Sequence, residues 1–566
     1  MTKRSDDFST RIRIIALLFF LVAAGLVYRL FDLQVIQADR YREKAERQYR
    51  GSQTKPLLAG RGAIYFREKS GKLISAAVVK QGFKLVIDPS KIKNAEEVYK
   101  KISMFIPVSR DKFFKSAGKK NDAYEEIARY LDYNSAQEIG KLNTPAVSAV
   151  PDQWRFYPGG KLASHVLGYV GYNKDEFAGQ YGVEKFYDDY LRGVSGNADA
   201  NSFSRAFLGI SRELFSGVLG GDNDIVLTIE PSVEGFLESS LEKILNQYSA
   251  ESAGGIIMEP KTGKILAMAA KPDFDPNFYN EVKDHSLFSN PLVSGVFEMG
   301  SVMKPITLSG AIDRGSIKPE TTYYDNGYLI INKARIENYD GKARGKVDMQ
   351  TVLNKSLNTG AVFAMRQLGK NNFRDYVAGF GLGEKTGVNL PDEAKGNIAS
   401  LNSPREIEFA TASFGQGVAF TPVGFAAAFS ALANGGYLVR PYIVETNENQ
   451  PVIKRQIIKK ETSEEITRML AKVVDEALLE GTVKIKHYSA AAKTGTAQIS
   501  QEDKRGYSED YLHAFVGYAP AFDAKFLVFL YLKKPVGVQY ASHSLTPAFM
   551  DIIQFLLTYY EVPPDR

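Results

Sequence analysis

Ser301 and Lys304 stand three residues apart in the stretch FEMGSVMKPIT. At i and i+3 on a helix the two side chains share one face. Pro305 is accommodated only near a helix start, so the helix must begin close to Ser301, which places the serine at the positive end of the helix dipole. Val302, Met303, Ile306 and Leu308 make the surroundings apolar. Burial there lowers the pKa of a lysine, so Lys304 can act as a base toward the Ser301 hydroxyl. The chemistry such a pair performs is acyl transfer through a serine ester. A capping serine followed by a surface lysine has the same spacing, so other elements must decide.

The tripeptide Lys-Thr-Gly occurs three times, at Lys261-Thr262-Gly263, Lys385-Thr386-Gly387 and Lys493-Thr494-Gly495. The first lies between the apolar runs GGIIMEP and KILAMAA and reads as a hairpin turn. The second sits among Gly and Pro and reads as loop. In YSAAAKTGTAQIS the third is surrounded by small residues, including Thr496 and Ala497, which let a substrate backbone approach a strand edge and add to it as a further strand. A hydroxyl and an amide are supplied by NKSLNTGAVF, in Ser356 and Asn358. Thr359-Gly360 is expected to break helical continuity, so that Ser356-Leu357-Asn358 forms a loop pointing both polar groups one way; a helix cap is the alternative.

These residues need a scaffold. The chain has 566 residues, 44% of them apolar and 24% charged, which fits two to four globular domains. A net charge of +6 is weak support for a nucleic-acid partner, and none is expected. The absence of cysteine excludes disulfides, thiolate metal sites and a Cys nucleophile. His165, His285, His487, His513 and His543 are scattered without metal-ligand spacing; His285 follows Asp284, yet no Gly-x-Ser-x-Gly elbow accompanies it. Residues 1–13 carry Lys3, Arg4, Arg11 and Arg13, and the uncharged run IIALLFFLVAAGLVY follows. We read 14–33 as an uncleaved transmembrane anchor rather than a signal peptide, with everything after it exported. RGAIYFREKSGKLISAAVVKQGFKLVIDPS alternates like strands about Ser70-Gly71, and NAEEVYKKISMF has helical rhythm. A new unit begins at NDIVLTIEPSVEGFLESSLEKI, so the main boundary falls near Gly220, with 34–219 non-catalytic and 220–566 catalytic.

With these motifs in order, the chain resembles the class B penicillin-binding proteins, the monofunctional peptidoglycan D,D-transpeptidases. The resemblance extends over RLFDLQ, RGAIY, RFYPGGKLASHVLGYVGY, GQYGVEKFYDDYLRGVSG, GGIIMEPKTGKILAMAAKPDFDPN, FEMGSVMKPIT, SFGQGVAFTPVGFAAAFSALANGG and HAFVGYAP, and the C-terminal stretch is more similar to the division type than to the elongation type. It implies an α+β multidomain protein: a transmembrane helix, an elongated mixed α/β pedestal of dimerisation type, and a β-lactamase-like transpeptidase domain with a central antiparallel sheet flanked by helices. Ser301 would be the acylated nucleophile and Lys304 its base. Ser356 would relay protons, and Asn358 would hold the substrate amide. Lys493, Thr494, Gly495 and Thr496 would form the substrate-binding strand, with the backbone N–H groups of Ser301 and Thr496 as oxyanion hole. The implied partners are stem peptides and lipid-linked precursor strands, β-lactams, a glycan polymerase and division or elongation membrane proteins; the implied location is the bacterial cytoplasmic membrane. No cofactor is implied.

Two positions depart from the family pattern. Phe66-Arg67 stands where many members have Asp-Arg, and Ala492 precedes Lys493 in place of Gly at the edge of the active site, where its small size should spare activity. A D,D-carboxypeptidase or serine β-lactamase would use the same motifs, differing in whether water reaches the acyl-enzyme, and a membrane β-lactam sensor or inactive scaffold is a third reading. The long region between anchor and catalytic domain argues against a plain β-lactamase, and a scaffold has no reason to carry Ser301, Lys304, Ser356 and Lys493 together, so the transpeptidase is favoured.

Overall fold

Strand β1 (Ile64–Arg67) turns at Gly71, whose φ of +87° suits glycine, into β2 (Leu73–Ile87), with Ile64 opposite Ala77 and Arg67 opposite Leu73. This is the hairpin expected about Ser70-Gly71. In this computed structural model residues 60–173, 176–193, 223–445, 451–501 and 506–566 are described. The expected membrane span at 14–33 and the expected boundary at 219/220 lie outside them. Among the described residues no helix is long and apolar enough to cross a membrane.

Packing divides the described chain into two units, one of residues 80–154 and one of residues 60–79 with 155–566. In the first, the second half of β2 pairs antiparallel with β3 (Glu125–Leu131). Helices α1 (Ala95–Ser103), α2 (Arg110–Ala117) and α3 (Tyr133–Lys141) start where Asn94, Ser109 and Asp132 accept from backbone N–H groups of the first turn. α1 also carries Glu96 and Glu97 in its first turn and Lys100 and Lys101 in its last, the arrangement its dipole favours. Leu85, Ile102, Phe113, Ile127 and Ile139 close the core of this unit.

The second unit includes residues 155–193, and its buried charges show why. Arg61 of RGAIY binds Glu184 at 2.5 Å and Asp188 at 2.8 Å, and Arg155 of RFYP binds Glu184 at 2.6 Å. Burial pushes the Glu184 carboxyl up, but the guanidiniums of Arg155 and Arg61 more than offset it and leave it below the usual range. Removing one member of such a group leaves an uncompensated buried charge, at a cost of about 3–5 kcal/mol. Three sequence signatures thus meet at one point. Next to them β1 pairs in parallel with β4 (Ile225–Leu227). Phe66 is buried in this core and Arg67 pairs with Glu445 at 2.7 Å, so the departure from Asp-Arg is absorbed by packing.

After α4 (Pro231–Gln247) come β5 (Ser252–Met258) and β6 (Ile265–Lys271). They complete a five-stranded antiparallel sheet with three C-terminal strands, in the order 491–500, 507–519, 526–533, β5, β6. Side chains alternate between its faces: Ile257, Phe515 and Val528 pack under Leu237 and Leu241 of α4 and under Phe549 and Ile552 of the C-terminal helix, whereas Ile256, Val516 and Phe529 belong to the core on the other side. That second side holds the helix Pro422–Ala433, from TPVGFAAAFSALA, which is apolar all round and buried from Pro422 to Leu432. The expected central antiparallel sheet between helices is therefore present.

Candidate active site

Ser301 lies in a 3-10 turn, Gly300–Met303, that runs directly into α5 (Lys304–Asp313) with Pro305 in its first turn. Gly300 has φ +61°, and its N–H donates to Gly415 O at 3.1 Å. A Cβ on Gly415 would lie 2.2 Å from Gly300 O, so glycine at 415 is what lets the SFGQG turn brace the Ser301 turn. Ser301 is half-buried, while Val302, Met303 and Lys304 are fully buried. The Lys304 Nζ is 2.9 Å from Ser301 Oγ, 2.6 Å from Ser356 O and 3.1 Å from Ser356 Oγ. Burial, reinforced by the charge of Lys493, drives the Lys304 amine well below the usual lysine range.

Upstream of Ser356, β7 (Thr322–Asp325), β8 (Tyr328–Ile331), β9 (Ala334–Glu337) and β10 (Gly345–Asp348) form two small ladders, β7 with β10 and β8 with β9. A short helix, Met349–Asn354, follows, and then Ser356 takes a left-handed φ of +52°. Helix α6 spans Asn358–Leu368 and contains both Thr359 and Gly360. The expectation that Thr359-Gly360 breaks the helix is therefore corrected. A Cβ on Gly360 would lie 2.2 Å from Val352 Cγ2 and 2.9 Å from the Tyr323 hydroxyl, so the glycine serves close packing rather than a turn. Of the expected loop Ser356-Leu357-Asn358, Ser356 and Leu357 are outside helix, and Asn358, at the helix start, donates its Nδ2 to Glu337 O at 2.8 Å.

The third Lys-Thr-Gly lies on β11 (Ala491–Ser500), the edge of the sheet, paired on its inner side with β12 (Tyr507–Ala519), which in turn pairs with β13 (Phe526–Lys533). Lys493 is buried, its Nζ 3.0 Å from Thr494 O, and burial pushes its pKa down to about 7. A Cβ on Gly495 would meet Met299 O at 2.6 Å and Val302 N at 3.1 Å, because the Ser301 turn crosses the strand there. Thr496 Oγ1 accepts from Ala541 N at 3.0 Å. Ala492 faces the other way. It packs with Phe515 and Phe549 on the far side of the sheet, opposite Gly517, whose own Cβ would come within 2.6 Å of the Ala492 methyl. The expectation that Ala492 touches the active-site edge is thus corrected by the alternation of the strand.

The other copies stand as expected. Gly263 closes the β5–β6 hairpin with φ +82°, and Lys261 pairs with Asp523 on the surface. Lys385-Thr386-Gly387 is loop, with Thr386 N and Oγ1 at 2.5 and 2.6 Å from Glu393 Oε1 and Gly387 N at 3.0 Å from Oε2. His285 is exposed, and Asp284 caps the turn that holds it. Among the described residues no cluster of His, Asp and Glu could hold a metal.

Two groups near the site carry no recognised motif. Glu298 accepts from the Tyr507 hydroxyl at 3.0 Å, and burial raises its pKa. Asp325, fully buried, gathers the segments around Asn358. An acidic residue just ahead of the Ser301 turn was a weak signal for the first. For the second only a lone Asp-Asn-Gly turn was visible.

A buried amine against a serine hydroxyl, with a second hydroxyl beside it and a lysine-bearing strand edge across from it, defines a serine acyltransferase. Residues 253–554 match the penicillin binding protein transpeptidase domain family and residues 56–204 the penicillin-binding protein dimerisation domain family. The chain is 30% identical to stage V sporulation protein D of Bacillus subtilis over all of its own length and 88% of that protein. It is 26% identical to the peptidoglycan D,D-transpeptidase FtsI of Buchnera aphidicola (subsp. Schizaphis graminum), covering 97% of this chain and 94% of the relative. A crystal structure of penicillin binding protein 3 from Mycobacterium tuberculosis, complexed with aztreonam, shares the fold with a TM-score of 0.65 at 22% identity, over 90% of this chain and 97% of the other. The chain belongs to the penicillin-binding protein transpeptidases. It is a class B member of the septal type, a serine D,D-transpeptidase that cross-links peptidoglycan.

Proposed function

We propose the following division of labour. Ser301 Oγ attacks the carbonyl carbon between the two D-Ala residues of a stem peptide, and its proton passes to the neutral Lys304 amine. The C–N bond breaks, and the departing D-Ala amine takes up a proton delivered through the Ser356 hydroxyl. An amine of a neighbouring stem peptide then attacks the ester, loses its proton to the same relay, and frees Ser301 with a new amide bond. Asn358 orients the donor peptide, Lys493 and Thr494 receive its terminal carboxylate, and Gly495 and Thr496 complete the strand edge it lies along. The N–H groups of Ser301 and Thr496 stabilise the oxyanion. A β-lactam stops at the ester. The observation that carries this reading is the buried Lys304 Nζ, 2.9 Å from Ser301 Oγ.

The expected organisation goes with it: residues 1–13 in the cytoplasm, an anchor at 14–33, a pedestal at 34–219 and the catalytic domain at 220–566 outside the cytoplasmic membrane. A glycan polymerase and division or elongation membrane proteins are the protein partners.

Ser301→Ala tests the core of the proposal. It should abolish covalent labelling by fluorescent penicillin with an unchanged melt; labelling at wild-type stoichiometry would sink it. With a D-Ala-D-Ala peptide and an amine acceptor, the wild type should release D-Ala and give the joined peptide. Only hydrolysed peptide would make it a carboxypeptidase.

A further inference from the structure

Asp325 is fully buried, and Arg344 directs its guanidinium to Asp340 rather than to Asp325. The Asp325 carboxylate is held by neutral donors. Oδ1 accepts from Gly327 N at 2.9 Å and Thr359 Oγ1 at 2.8 Å, Oδ2 from Arg344 N at 3.1 Å, and Asn338 Nδ2 lies 3.0 Å from both oxygens. Asn338 Oδ1 accepts from Thr359 N at 3.3 Å and lies 3.2 Å from Thr359 Oγ1, and the Tyr323 hydroxyl lies 3.0 Å from Thr359 Oγ1. Burying a carboxylate costs several kcal/mol unless it is fully hydrogen-bonded. This one is placed where its donors come from four separate segments: the turn after β7, the residue after β9, the residue before β10 and the first turn of α6.

The segments tied together are those that carry the Ser356–Asn358 motif. Thr359 directly follows Asn358, and Asn358 Nδ2 bonds to Glu337 O, the residue before Asn338. Two parallel ties therefore join the α6 N-terminus to the β8–β9 hairpin, and Asp325 is the hub of one of them. Ser356, in its left-handed conformation, presents both O and Oγ to Lys304 Nζ. A non-glycine residue holds such a conformation only where its surroundings over-determine it. We propose that Asp325 is a positioning residue for acyl transfer: through Thr359 and Asn338 it fixes the Ser356-Leu357-Asn358 turn at the separation from Lys304 that proton transfer requires. The proposal rests on the serine-lysine reading above.

Thr359 supplies the test, because its hydroxyl can be removed without burying a new charge. Stopped-flow acylation by a fluorescent penicillin is measured at saturation and expressed per titratable Ser301, beside thermal melts. Thr359→Val keeps the shape and loses the bond to Asp325; its acylation rate should fall on the order of tenfold, since misplacement by about 1 Å costs up to about a hundredfold. Thr359→Ser keeps the hydroxyl and should stay within about twofold of wild type. A Thr359→Val rate equal to wild type per titrated site overturns the inference. So does Thr359→Ser as slow as Thr359→Val, because the retained hydroxyl then fails to restore the rate. Asp325→Asn, which turns a donor toward Asn338 or Gly327, should be slower than Thr359→Val per titrated site, and a wild-type rate in its folded fraction also overturns the proposal. Failure of the wild type to acylate at all would instead overturn the reading of Ser301 and Lys304.

Discussion

The same tripeptide, Lys-Thr-Gly, does opposite things at residues 385–387 and 493–495. In the first place the threonine is the buried residue, clasped with the glycine N–H by Glu393, and the lysine is exposed. In the second the lysine is buried and the threonine half-exposed on the edge of the sheet. Even the glycines differ: Gly387 has a φ of +82°, whereas Gly495 is extended strand whose missing Cβ leaves room for Met299 O. Residue type does not decide the role; what decides it is which side of the tripeptide meets a partner. A loop needs its donors satisfied, and a strand edge needs an unpaired face.

The contrast can be broken experimentally, with Lys493 as the larger lever. Lys493→Ala should slow acylation by penicillin on the order of ten- to a hundredfold, the loss of a charge-assisted hydrogen bond of roughly 1.5–3 kcal/mol. Stopped-flow kinetics on the purified variant measure it, and a wild-type rate would mean that the strand edge is not where the carboxylate binds. A pH series sharpens the point. With the Lys493 pKa lowered to about 7, the cation is present below that pH and is lost above it. The apparent affinity for an anionic penicillin should therefore weaken as pH rises past 7, by up to about tenfold per unit. In the proposed mechanism Lys304 must be neutral to act, so its requirement should cut activity on the acid side. The alkaline loss of affinity should vanish in Lys493→Ala and persist in Lys385→Ala.

At the other copy the effect is on folding. Glu393→Ala strands Thr386 and Gly387 donors and should lower stability by about 1–3 kcal/mol in denaturant melts, with acylation per titrated site within about twofold. A kinetic defect with a normal melt would reverse the assignment. Smallest of all, Lys261→Ala and Lys385→Ala should each change stability by no more than ~0.5 kcal/mol and leave acylation within about twofold, as for exposed lysines away from special features.

What could be read in the chain were the parts in which neighbours in sequence are neighbours in space. Ser301 and Lys304 share a turn, Gly71 and Gly263 close hairpins, and the small residues around Lys493 mark an edge strand. Asn358 and Gly360 were harder, because whether a glycine breaks a helix or admits a side chain depends on Val352 and Tyr323, which pattern alone does not place. Asp325 showed only the turn it opens at Gly327, for a stronger reason: its other donors, Asn338, Arg344 and Thr359, lie 13 to 34 residues along the chain. Likewise Arg155 and Glu184 pack in the unit that holds Ser301 and Lys304 because they meet Arg61, a long-range pairing of charges that no local periodicity announces.

The three contacts of Lys304 can be counted in hydrogens. A neutral amine has two N–H groups and one lone pair. The Ser356 carbonyl, at 2.6 Å, can only accept, which commits one N–H. The remaining N–H and the lone pair fall to the hydroxyls of Ser301, at 2.9 Å, and Ser356, at 3.1 Å. With the N–H toward Ser356, the lone pair faces Ser301 and is ready for its proton. Once that proton arrives, the ammonium has three donors for the same three oxygens, and nothing needs to move. The cradle fits both charge states of the amine without reorganisation, and the only hydroxyl left to pass the proton onward is that of Ser356. In the mechanism proposed above, proton uptake and proton delivery would share this one arrangement, entered through one serine and left through the other.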